Sequence, residues 1–266
     1  MTVLIIFLVI GFIAGILSGL FGIGGGIVIV PALILFCHFS QIAANSTSLA
    51  ALLLPVGILA VMTYYKEKLV DVRGALFIAL GIFIGVIGGS VSALEIPGPL
   101  LKRLYGIFLI YIAITYIDFG SLFRRKSNCT EIVQNEPVSE KQSPFFQFLL
   151  LGLAAGIMAG LFGIGGGIII VPALISIFKY RYKTAVGTSL TALLLPVGLP
   201  GVLIYYRTGQ LEIMPALLIG LGLLFGSLVG AFAAIEMPSK LIKRIYGLFI
   251  LLAGLNFIFQ FPRFNR

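Results

Sequence analysis

The chain has 266 residues, 60% of them hydrophobic and 10% charged, with a formal net charge of +9 and a mean hydropathy of +1.16. Soluble domains carry about 25% charged residues, so water cannot be the solvent for most of this surface, and lipid must be. Apolar runs that do not alternate, such as residues 74–93, exclude a transmembrane barrel and leave helices.

In chain order the apolar segments lie at about 2–21, 26–39, 43–65, 71–94 and 98–119. A polar stretch with Arg124-Arg125-Lys126, three glutamates and Pro137 follows; no apolar periodicity survives in it, and it reads as a linker outside the membrane. Five further segments then lie at about 145–162, 167–179, 184–206, 212–235 and 239–259. The first segment has no basic start and repeats later in the chain, so it reads as a retained span rather than a cleaved signal.

The two sets are copies. Residues 7–108 align with 148–249 at a constant offset of 141, and roughly half of the pairs are identical. Gly19-Leu-Phe-Gly-Ile-Gly-Gly-Gly26 returns as Gly160-Leu-Phe-Gly-Ile-Gly-Gly-Gly167, and Leu52-Leu-Leu-Pro-Val-Gly57 returns as Leu193-Leu-Leu-Pro-Val-Gly198. The predicted architecture is an all-α polytopic membrane protein. It has an N-terminal repeat (1–119), a polar linker (120–144) and a C-terminal repeat (145–266).

As one helix, residues 3–37 would run ~50 Å at 1.5 Å per residue, too long for one crossing, so the glycine cluster breaks the span. The short second segment either crosses or returns as a re-entrant hairpin. Both options give each repeat an odd net number of crossings, which inverts the second copy. With the linker cytoplasmic, inversion puts 13 of the 18 Lys and Arg inside and 5 outside, against 10 and 8 for parallel copies. The positive-inside rule favours inversion, with both termini external.

No charge sits within an apolar segment, which argues against an intramembrane carboxylate relay and, for want of reactive sets, against an enzyme. The lone His38, with Cys37 and Cys129 in different contexts, gives no metal site or disulfide framework, and no cofactor is expected. Neutral polar groups and bare backbone remain. Gly24, Gly25 and Gly26, with Gly165, Gly166 and Gly167, precede predicted helix starts, where free N–H groups and partial positive charge bind anions. The alternative is that these glycines only permit close packing. Asn45, Thr47 and Ser48, with Thr188 and Ser189, begin the third segments and either cap those helices or bind a solute. Pro55 and Pro196 kink the third segments. Glu95 and Glu236 precede prolines at predicted helix starts and read as caps or as gating or coupling residues. Tyr64-Tyr65 and Tyr205-Tyr206 read as an interfacial belt.

The paired stretches Gly22-Ile-Gly-Gly-Gly-Ile-Val-Ile-Val-Pro31 and Gly163-Ile-Gly-Gly-Gly-Ile-Ile-Ile-Val-Pro172, each with a downstream Thr-Ser-Leu, resemble the sulfite exporter TauE/SafE family of bacterial and archaeal membrane proteins. The resemblance implies a plasma-membrane transporter of sulfite, thiosulfate or organosulfonates, with the glycine and Thr-Ser positions at its site. Asn45-Ser46 in place of Val186-Gly187 sets the two halves apart chemically. The partners expected are a small anion, a lipid bilayer and possible coupling protons or sodium ions, with no nucleic acid and the oligomeric state open. An anion channel and a non-transporting scaffold are the competing readings.

Overall fold

The computed structural model describes residues 2–54, 57–117, 145–236, 251–252 and 254–255. The linker expected at 120–144 and most of the last segment lie outside these. The described residues are helical, with no strand among them. In the first repeat the helices are α1 (Thr2–Phe21), α2 (Gly26–Cys37), α3 (Gln41–Ala51), α4 (Ile58–Lys66), α5 (Val72–Glu95) and α6 (Gly98–Ile117). In the second they are α7 (Phe145–Phe162), α8 (Gly167–Ser176), α9 (Tyr182–Leu194), α10 (Leu199–Arg207) and α11 (Ile213–Glu236). Among the described residues, α1, α5, α7 and α11 are each long and apolar enough to span a membrane, and α9 with α10, bent by 46° at their break, are so only as a pair, as one broken span or a re-entrant loop.

The breaks have local causes. Gly25 and Gly166, immediately before α2 and α8, both have φ +82°, a left-handed conformation that only glycine adopts freely. The third segment of each copy is two helices and not one kinked helix. Leu195, before Pro196, is extended at φ −67°, ψ 150°, as a residue preceding proline prefers, and proline offers no amide to continue the ladder. Ile96 before Pro97 ends α5 in the same way at ψ 129°.

Two long helix pairs form the frame, and each joins one helix from either repeat. α1 lies along α11 and α5 along α7. In the first pair Gly11, Gly15 and Gly19 press against Ile219, Leu223 and Ser227; in the second, Gly152, Gly156 and Gly160 press against Ile78, Ile82 and Val86. The contact numbers rise together, so each pair runs parallel. Gly222, Gly226 and Gly230 answer from α11, and Gly81, Gly85 and Gly89 from α5. Spacing of four residues puts these glycines on one helix face, and backbones approach closely where side chains are absent. Every contact recurs at the offset of 141, so the repeats are related by a pseudo-twofold.

Adjacent glycines of α5 test this frame. A Cβ at Gly89 would drive into the Ile157 carbonyl oxygen, while a Cβ at the exposed Gly88 meets nothing within 4 Å. Gly89→Ala is expected to cost about 1–3 kcal/mol by overpacking. Gly88→Ala is expected to be neutral or to stabilise by up to about 1 kcal/mol through helix propensity. Thermal unfolding in detergent reads both, and equal effects would remove the glycine zipper as the frame.

Candidate functional site

The site begins where α1 and α7 stop. A helix end leaves carbonyls without intrahelical partners, and such groups cannot be left bare in an apolar medium. At the end of α1, Gly19 O accepts from Tyr64 OH at 3.0 Å, Leu20 O from Tyr182 OH at 3.4 Å and Gly22 O from Ser189 Oγ at 2.7 Å. At the end of α7, Gly160 O accepts from Tyr205 OH at 2.7 Å, Leu161 O from Asn45 Nδ2 at 2.8 Å and Gly163 O from Ser48 Oγ at 2.8 Å. Gln41 Nε2 donates to Asn45 Oδ1 at 2.9 Å and fixes that amide. Four of the six donors come from the opposite repeat, so each copy ties down the other's broken helix.

The amides of the same loops are left over. Gly24, Gly25, Gly26 and Ile27 donate to no acceptor among the described residues, nor do Gly165, Gly166, Gly167 and Ile168. The glycines divide the work. Gly24 and Gly165 border a central cavity. Gly25 packs on Ala14 and Leu223, and Gly166 on Ala155. Gly26 lies against Gly163 and Ile164, and Gly167 against Gly22 and Ile23, so a Cβ there would sit 2.5 Å from the facing carbonyl oxygen.

The cavity is small, with a volume of about 30 Å³. Its wall is pairwise symmetric: Gly24 with Gly165, Leu49 with Leu190, Leu52 with Leu193, Gly57 with Gly198 and Ser18 with Ala159, completed by Ile82, Val86 and Val197. Among the described residues that line it there is no ionisable side chain, and Ser18 supplies the one hydroxyl.

Several expectations change. Asn45, Thr47 and Ser48 do not cap α3: Ser40 is the N-cap, accepting from Ala43 N at 3.1 Å, because the helix starts earlier than the apolar pattern suggests. Thr188 and Ser189 likewise lie inside α9. Thr188 Oγ1 accepts from Asp71 N at 3.0 Å, whereas the buried Thr47 Oγ1 has no partner among the described residues. Glu95 and Glu236 are exposed at the C-terminal ends of α5 and α11; Pro97 O, not Glu95, receives the first amides of α6, and the helix start predicted after Glu236 lies outside the described residues. Tyr64 and Tyr205 are buried and not interfacial, while Tyr65 and Tyr206 are exposed. Ser18, Gly57 and Gly198 are cavity residues that sequence did not single out. Ser18 offered a weak signal, a lone hydroxyl in an apolar segment.

The two ends of the bundle differ. Before α5, Asp71 accepts from Tyr180 OH at 2.5 Å and from Gly74 N at 3.0 Å. Burial, and then the bond to and charge of Asp71, push the Tyr180 hydroxyl above its ordinary pKa. The position equivalent to Tyr180 is Phe39, which packs edge-on to Phe7 at 6.2 Å. There Ser46 Oγ donates to Gln210 O at 2.6 Å.

Comparison with known proteins agrees with this picture. Residues 7–257 match the sulfite exporter TauE/SafE family. A probable membrane transporter protein of Bacillus subtilis, YunE, is 29% identical over 269 residues, covering 96% of this chain and 97% of that protein. Another of Methanocaldococcus jannaschii is 29% identical over 266 residues, covering 92% of this chain and 94% of the relative. No solved structure matches. The chain belongs to the sulfite exporter TauE/SafE family and is a multi-pass membrane transporter.

Hydroxyl substitutions separate the roles above. Ser48→Ala and Ser189→Ala each strand a buried carbonyl and are expected to cost about 1–3 kcal/mol. Thr188→Val is expected to destabilise by orphaning the Asp71 amide. Thr47→Val removes an unpaired hydroxyl and is expected to be neutral or stabilising. Thermal unfolding of the four purified variants checks the order, and a loss at Thr47 as large as at Thr188 would contradict it.

Proposed function

We propose that this family member carries small sulfur-containing anions (sulfite, thiosulfate or an organosulfonate) across a prokaryotic plasma membrane, by alternating access around the central cavity. One observation carries the reading. Around the glycine loops, side chains claim the carbonyls of Gly19, Leu20, Gly22, Gly160, Leu161 and Gly163, but nothing among the described residues claims the amides of Gly24–Ile27 and Gly165–Ile168. The imbalance leaves donors, and the N-termini of α2 and α8 add a partial positive charge of about half an elementary charge each. Anions bind at such ends without a basic side chain. Since no lysine or arginine among the described residues borders the cavity, the anion is not held there by a full opposite charge and can leave again.

Contacts support an inverted relation of the repeats. Phe148 at the start of α7 stacks on Phe178 with centroids 4.5 Å apart. Just beyond, Tyr182 reaches Leu20 O at the end of α1, and Lys183 Nζ donates to Ile235 O at the end of α11 at 2.6 Å. The start of α7 and the end of α1 therefore lie toward one end of the bundle. At the other, the start of α1 meets Phe39 and the end of α7 meets Asn45. The first end gathers Lys66, Lys68, Arg73, Lys179, Arg181 and Lys183, which by the positive-inside rule supports a cytoplasmic side shared with the linker. Because the tight pairs cross between repeats, the bodies that move are α1 with α11 and α5 with α7, not one repeat against the other.

Gly57 offers a test of the cavity. Its φ of −85° suits any residue, and a Cβ there meets only the Leu190 carbonyl oxygen, at 3.9 Å. Gly57→Leu fills the cavity without backbone strain. In proteoliposomes, labelled sulfite, thiosulfate and a short sulfonate are offered to wild type and variant. Saturable uptake with counterflow is expected from the wild type for at least one anion, and at least about tenfold slower uptake from a Gly57→Leu protein whose unfolding temperature is unchanged; that factor corresponds to about 1.4 kcal/mol. Intact flux in the folded variant would sink the central route, and ohmic conductance would make the protein a channel.

A further inference from the structure

We propose that Ser18 is the side-chain donor that fixes an oxyanion in the central cavity and sets its affinity, a role that rests on the anion-carrier reading above. Ser18 is 3% exposed and borders the cavity together with Gly24 and Gly165. Its hydroxyl has no hydrogen-bond partner among the described residues. Some other hydroxyls in these helices satisfy themselves: Thr63 Oγ1 donates to Leu59 O at 2.9 Å and Thr191 Oγ1 to Gly187 O at 2.8 Å; Thr47 and Ser90 are, like Ser18, without a partner among the described residues, but neither borders the cavity. Such back-bonding to the preceding turn is the ordinary fate of a helical serine or threonine. Ser18 does not take it.

Its position is fixed from the backbone side. Ser18 O accepts from Gly22 N at 2.7 Å, so the residue belongs to the turn from which the glycine loop departs. The cavity wall otherwise offers apolar side chains and glycine backbone. An anion placed between Gly24 and Gly165 would find amides from both repeats but a hydroxyl from one wall only, because the equivalent of Ser18 is Ala159, which also borders the cavity. The backbone of the site is symmetric and its side-chain chemistry is not. A hydroxyl donating to a charged oxygen makes a directional, charge-assisted bond, and Ser18 is the residue placed to make it.

The experiment compares Ser18→Ala, Ala159→Ser and the double variant with wild type in proteoliposomes, with labelled sulfite as the probe and thermal unfolding as control. Ser18→Ala is expected to raise KM about tenfold, the factor that 1.4 kcal/mol represents, with Vmax within about twofold. Its unfolding temperature is expected to stay unchanged, since the hydroxyl holds nothing in the protein. Adding Ala159→Ser is expected to recover most of the affinity from the opposite wall. A KM for Ser18→Ala within about twofold of wild type overturns the proposal, as does a lowered unfolding temperature without rescue by Ala159→Ser. Wild type that takes up no sulfite defeats the transport reading and the Ser18 role with it; normal wild-type uptake with an unaltered Ser18→Ala variant defeats the Ser18 role alone.

Discussion

A helix that stops inside an apolar medium must find partners for its terminal carbonyls, and much of this structure follows from how α1 and α7 meet that demand. Six side chains answer it, on α3, α4, α9 and α10. To reach those carbonyls, the third span of each copy must lie beside the broken helix of the other, and Tyr64 and Tyr205 must be buried to their hydroxyls. In the proposed function the same breaks serve the solute: capping the carbonyls while leaving the loop amides provides donors for an anion without burying a charge.

The glycine zippers make that arrangement tight. A helix packed through bare backbone forms a close, rigid pair, and here each pair draws one helix from each copy. The glycine face of α1 is covered by α11 and that of α7 by α5, so each copy's first helix is packed by the other copy. The exchange also explains why the cavity is bordered by matched residues from both halves: the pseudo-twofold passes between the glycine loops, where Gly26 meets Gly163 and Gly167 meets Gly22.

What was legible in the sequence was whatever lies in local pattern. Apolar length gave the helices, the constant offset gave the duplication, and Gly24–Gly26 marked the break between α1 and α2. The proline at 196 was visible, but its consequence was understated. A kink and a full break differ by the conformation of one residue, Leu195, which sequence does not specify. Partner choice was not legible at all. Nothing in α1 says that its glycines face α11 instead of α5, since both carry glycines at the same spacing. Tyr64 and Tyr205 were misread for a related reason: a tyrosine at the end of an apolar segment looks interfacial until the carbonyl that it must cap is known. Asn45, Ser48 and Ser189 were read as helix caps or solute ligands, and the structure engages them with protein carbonyls, while Gly24, Gly165 and Ser18 border the cavity.

The copies have kept their backbone relation and diverged where polar chemistry matters. Ser18 stands opposite Ala159, Asn45 opposite Val186, Phe39 opposite Tyr180 and Ile42 opposite Lys183. Three of these differences change a hydrogen bond: Asn45 bonds Leu161 O where Val186 has no such group, Tyr180 bonds Asp71 where Phe39 packs on Phe7, and Lys183 bonds Ile235 O where Ile42 has no such group. An antiparallel pair of identical halves would present the same mouth to both sides of the membrane. The two compartments differ in potential, ions and solute, so identical mouths would give no preferred direction of closure. Under the proposed alternating access, side-chain differences on a paired backbone would let the two ends close differently, one through Tyr180 and Asp71 and the other through Ser46 and Gln210, around a cavity whose own asymmetry is one hydroxyl.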